Sequence, residues 1–184
     1  MCLVTSLLMF LGGCTKRGGV SVTRDACSLV SKEEVESVQA APVNETKTSE
    51  HSDGVFLVSQ CFYAAAEFSK SVNLAVIQKD RDNSARRSPK DFWKEKFGRF
   101  SGKDEMRDKN EQESGGEEEK EKLIPPKQID DIGDEAYWVS NRFGGTLYVL
   151  KGDAFISIGL GGTDDEETKL KKSKVLAQKA LQRL

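Results

Sequence analysis

Between residues 133 and 162 apolar and polar side chains alternate, and this stretch organises the reading of the whole chain. Residues 136–140 carry Tyr137, Trp138 and Val139, which suit a pleated, half-buried surface. In the next segment Leu147 and Val149 share one face, with Thr146 and Tyr148 on the other. Ile156, Ile158 and Leu160 then share a face, while Ser157 and Gly159 point away. Turn-forming residues at 141–145 and Lys151-Gly152-Asp153 separate the three segments. Period two broken by turns predicts an antiparallel meander with one packed face. Such a sheet needs a helix or a second sheet over its apolar side.

The same patterning places other elements. Residues 55–63 and 71–78 read as two more strands, and residues 64–70 as the link between them. Ser31-Lys32-Glu33-Glu34 forms a capping box, with Val30 and Val35 placed as a hydrophobic staple. The helix it starts turns Val35 and Val38 inward and ends before Pro42. Ser88-Pro89-Lys90-Asp91 opens a second helix, whose stripe of Phe92, Trp93, Phe97 and Phe100 is read as core packing. Thr163-Asp164-Asp165-Glu166 reads as a capping box for a last helix, with Leu170, Ala177, Ala180, Leu181 and Leu184 on its buried stripe. Residues 43–54 are polar and read as a loop. The predicted class is α+β: an antiparallel sheet of about five strands packed against flanking helices, the C-terminal one included.

Two segments break the globular pattern. Residues 101–122 hold a single sizeable apolar side chain, Met106, among charged ones, and are expected to form a disordered insertion. A solvated charged helix is the alternative. At the other extreme, residues 1–13 carry no charge, and Leu3, Val4, Leu7, Leu8, Met9, Phe10 and Leu11 make them strongly apolar. That run is too short for a membrane span of roughly 20 residues but suits the apolar core of a secretory signal. No Lys or Arg precedes it, which a start codon assigned too far downstream would explain. Residues 14–26 then read as a tether and 27–184 as a single domain.

The chain has 184 residues and a formal net charge of −2, so no basic surface for nucleic acid is expected. Charged residues reach 32% and hydrophobic ones only 37%, in keeping with segments that lie outside the core. His51 is the only histidine, in the polar run Glu50-His51-Ser52-Asp53, and makes a poor general base there. Asp130, Asp131, Asp134 and Glu135, and the run 164–167, are acidic clusters without calcium-loop spacing. With no CxxC pair, no metal site is expected, and neither a cofactor nor a catalytic residue is assigned.

Leu11-Gly12-Gly13-Cys14 resembles the lipobox of bacterial lipoproteins. The resemblance implies cleavage before Cys14, acyl chains on that residue, and a membrane-anchored domain facing the periplasm or the exterior. Lipidation of Cys14 leaves Cys27 and Cys61 as an even pair in an oxidising compartment, which argues for a disulfide; two buried free thiols are the alternative. Cys27-Ser28-Leu29, Glu34-Val35, Gln60-Cys61 and Gly133-Asp134-Glu135-Ala136-Tyr137-Trp138 extend the resemblance to bacterial lipoproteins with small α+β domains, similar to the PsbP and Mog1 group. It carries over no catalytic residue. The expected function is a lipid-anchored envelope protein whose domain binds an envelope protein or ligand, without catalysis. The rivals are an envelope hydrolase using a carboxylate pair, and a soluble protein without lipid in which residues 1–13 belong to the core.

Overall fold

The computed structural model describes residues 23–80, 87–101, 124–142 and 144–184. Cys14, the leader 1–13 and nearly all of the charged segment 101–122 lie outside the described residues. Within them the chain builds α1 (Ala26–Leu29), α2 (Lys32–Gln39), β1 (Val43–Ser52), β2 (Phe56–Ala65), β3 (Val72–Lys79), α3 (Pro89–Phe97), β4 (Lys127–Gln128), β5 (Glu135–Val139), β6 (Thr146–Lys151), β7 (Ala154–Leu160) and α4 (Glu166–Leu181). The class is α+β as expected. Among the described residues the sheet has seven strands rather than about five, in the order β1-β2-β3-β7-β6-β5-β4, every neighbour antiparallel.

The predicted meander is β5–β6–β7. Alternation along its strands divides the side chains between the two faces of the sheet. On one face Ala136, Trp138, Leu147, Val149, Ile156 and Ile158 join Cys61, Tyr63, Leu74 and Val76 in the main core, closed by α1, α2 and α4 through Leu29, Val35, Leu176, Ala177 and Ala180. On the other face Tyr137, Leu150 and Phe155 pack against Trp93 and Phe97 of α3. The aromatic stripe is core, as its spacing implied. Phe97 stacks on Tyr137 with centroids 4.7 Å apart, and the Trp93 indole N–H donates to Glu135 at 2.9 Å.

Residues 43–54, read as a loop, are instead the strand β1 and the turn after it. Only Val43 of the ten strand residues is buried. An edge strand that is wet on both faces shows no apolar alternation; what holds it is backbone pairing to β2 from Glu45 to Ser52. The last helix also starts two residues later than its capping motif suggested. Asp165, not Thr163, is the N-cap and accepts the Thr168 N–H at 2.7 Å. Its buried stripe is Lys169, Ser173, Leu176, Ala177 and Ala180, with Leu170, Leu181 and Leu184 half-buried beside it.

Candidate functional site

Among the described residues, Arg24 and Asp25, ahead of Cys27, already bond to the domain. The Gln78 side-chain amide takes the Arg24 backbone in two hydrogen bonds: Arg24 N–H donates to Oε1 at 3.0 Å, and Nε2 donates to the Arg24 carbonyl at 2.8 Å. Asp25 caps α1, the Ala26 N–H donates to Ser59 Oγ at 3.0 Å, and Cys27 is joined to Cys61 by a disulfide. The Cys27–Cys61 bridge argued from the sequence is therefore in the structure, linking α1 to the centre of β2.

Where the chain enters, a cleft of about 330 Å³ opens between Arg24, the end of β3 at Gln78 and Lys79, the β6–β7 turn at Lys151, Gly152, Asp153 and Ala154, and Leu184. Its size lies at the low end for small-molecule sites. The turn is held by Asp134, which accepts the Gly152 N–H at 2.7 Å and the Lys151 ammonium at 3.1 Å. Those bonds keep the Asp134 carboxyl below its ordinary range, the Gly152 amide contributing most. Arg24, Lys79 and Lys151 bring cationic side chains to the lining and Asp153 an acidic one, while the Arg24 and Gly152 amides are already taken by Gln78 and Asp134.

Neither acidic cluster gathers into a site. Asp130 offers its carbonyl to Lys174 at 3.5 Å, Asp134 serves the β6–β7 turn, and Glu135 accepts from Trp93. In the second run Asp164 meets Lys172 at 2.5 Å, Asp165 caps α4, and Glu167 meets Lys171 at 2.7 Å. Among the described residues no three His, Cys, Asp or Glu side chains stand placed to share a metal ion. His51 lies exposed on β1, in register with Val58.

Sequence reasoning missed a polar brace at the other end of the sheet. Glu166 Oε1 accepts the Trp138 indole N–H and the Ser140 hydroxyl, each at 2.7 Å. One turn along α4, Lys169 is only 4% exposed and lies beneath the β5–β6 turn. A Cβ at Gly144 would come 2.8 Å from Lys169 Nζ, and one at Gly145, where φ is +145°, would come 2.3 Å from the Trp138 ring. Gly145 is required by this close approach, and Gly144 by its φ of +114°. The only signal in sequence was the paired glycine, which identifies a turn and not what lies under it.

No family model, curated protein or solved structure matches the chain. The geometry alone therefore ranks the chemistry. A glycan hydrolase needs one carboxyl of a pair raised toward neutrality. Among the described residues, the carboxylates with displaced titration all move down, as at Glu34, Asp53, Asp134 and Asp165, where hydrogen bonds favour the charged form.

Proposed function

We propose that this chain is an envelope protein anchored to a membrane by acyl chains on Cys14, with a globular domain that serves binding or assembly and not catalysis. The observation that supports it is the Cys27–Cys61 disulfide in a domain whose sequence begins with an apolar leader and Leu11-Gly12-Gly13-Cys14. Disulfides persist in oxidising compartments, and the leader is of the length that delivers a chain there. Several acyl chains then hold a domain stably at a bilayer, where one does not. No helix among the described residues is long and apolar enough to cross a membrane. The resemblance to bacterial lipoproteins with small α+β domains, similar to the PsbP and Mog1 group, belongs to the same proposal.

The hydrolase reading has less support, because among the described residues Asp134 and Glu135 are engaged by the β6–β7 turn and Trp93, and Asp165 caps α4. What the domain offers in its place is the cleft where the tether enters and the open strand β1. Fractionation of cells expressing the full chain and its Cys14→Ser variant tests the anchor. The parent is expected in the membrane fraction, with an intact mass showing loss of residues 1–13 and gain of lipid, and the variant in the soluble fraction. A parent that is soluble and still carries residues 1–13 would overturn the proposal and favour the unlipidated rival.

A further inference from the structure

From the strand β1 we infer a self-association site: two copies of this domain join through their β1 edges into one continuous antiparallel sheet. The inference stands apart from the lipid anchor and holds with or without it.

Among the described residues the edge is long and uncovered. β1 has a neighbour on one side only, β2, and every residue from Asn44 to Ser52 is exposed. Sheet edges are usually blunted by charged side chains, lysine above all, and by proline, bulges or short strands. Here the single irregularity is at Val43/Glu45, which leaves Glu45 to Ser52 in unbroken register. No proline lies in that stretch, and the charge of Lys47 is met by Glu45 of the same strand at 3.1 Å.

Which backbone groups face outward follows from the hairpin. The Asp53 N–H donates to the Phe56 carbonyl, so these two residues form a hydrogen-bonded pair. Hydrogen-bonded and non-bonded pairs alternate along an antiparallel ladder. His51, Ser49, Lys47 and Glu45 therefore bond to Val58, Gln60, Phe62 and Ala64, and Ser52, Glu50, Thr48 and Thr46 present their N–H and C=O to the outside.

Charge complementarity selects the second copy and its register. A two-fold axis normal to the sheet at Thr48 sets Thr48 against Thr48 and Thr46 against Glu50. On the opposite face it sets Lys47 against Ser49 and Glu45 against His51. No like charges oppose each other, and each carboxylate of Glu45 meets an imidazole. Shifting by two residues toward the start of β1 opposes Lys47 to Lys47. Shifting by two the other way sets Glu45 against Asp53 and Lys47 against His51, and a further shift opposes Glu50 to Glu50. Like charges directly opposite destabilise a pairing. Sliding further toward α2 runs into the bulge, where the Val43 N–H is already taken by Glu36 at 2.8 Å. The Thr48-centred register forms about six backbone hydrogen bonds between copies.

Sedimentation of the full chain across a micromolar to high-micromolar range tests this, beside Thr48→Pro. Proline suits an edge position whose N–H faces solvent, so the variant keeps β2 pairing and folds. The expected result is a concentration-dependent dimer in the parent and a dimer at least roughly tenfold weaker in Thr48→Pro, with unchanged circular dichroism. Register is read from charge. Glu45→Lys, which faces His51 with a cation, is expected to weaken the dimer, and Glu45→Lys with His51→Glu to restore it. A parent that stays monomeric throughout, a Thr48→Pro dimer as tight as the parent, or a double variant no tighter than Glu45→Lys alone would each overturn the inference.

Discussion

Two tyrosines on opposite faces of one sheet carry their hydroxyls into different surroundings. The Tyr63 hydroxyl donates to the Val30 carbonyl at 2.6 Å, tying β2 to the end of α1, and burial pushes its pKa up to about 12. Tyr137 is equally buried, stacked on Phe97 under α3, yet its hydroxyl has no partner among the described residues. A buried hydroxyl without a hydrogen bond costs desolvation that nothing offsets, whereas removing one partner of a made bond strands the other. Urea denaturation should therefore give opposite signs. Tyr63→Phe is expected to lose about 1–2 kcal/mol, and Tyr137→Phe to be neutral or to gain up to about 1 kcal/mol. Equal losses would mean that the Tyr137 hydroxyl finds a partner in solution.

At the scale of elements, legibility followed exposure. Segments with one face in the core announced themselves: the period-two runs of β5, β6 and β7, the Ser31 capping box and the helix start at Ser88-Pro89 appear where the pattern put them. β1 was illegible because its side chains meet water on both sides, so its position rests on pairing with β2, which leaves no hydropathy signal. On α4, Lys169 and Ser173 are buried against expectation, as long and small polar side chains can be when turns and helices cover them. Nor did the chain order show that α2 and the end of α4 are clamped by one carboxylate. Glu34 accepts the Arg183 guanidinium in two bonds, at 2.7 and 2.9 Å, the Lys179 ammonium at 3.2 Å, and the Ser31 N–H at 2.8 Å. The Glu34 side chain is 18% exposed, so solvent screens the cluster only in part.

That clamp dictates an acid limb. Arg183 first, with the Ser31 amide and Lys179 in support, lowers the Glu34 pKa from 4.5 to about 2. A carboxyl whose folded value lies below its unfolded value contributes stability that is complete above the unfolded pKa and is lost as pH falls toward the folded one. The window is therefore from 4.5 down to about 2, and the contribution, after allowance for screening, is about 2 kcal/mol. Thermal unfolding followed across that window should show the loss, and Glu34→Gln should start lower and flatten it. An unaltered acid limb in Glu34→Gln would assign it to other carboxylates.

On the scale of the whole molecule, the disulfide decides how the start of the domain is fastened. Arg24 lies beside the cleft, and from there the chain passes to α1 and is bonded to β2 by the Cys27–Cys61 bridge ahead of α2. Its two cysteines are 34 residues apart, a loop whose closure in the unfolded chain contributes roughly 4 kcal/mol. For a domain of this size each kcal/mol moves Tm by about 2–4 °C, so reduction should lower Tm by about 8–16 °C. Loss of the bridge also frees α1, which is one turn long and buries only Ala26 and Leu29. Amide exchange on reduction is therefore expected to rise first in α1 and the Arg24–Gln78 pair, ahead of β3 and β7 in the centre of the sheet. A variant carrying Cys27→Ala and Cys61→Ala should match the reduced parent and ignore reductant. Were Tm unmoved after mass analysis had shown two hydrogens gained, the bridge would be a passenger on a domain already held by its core.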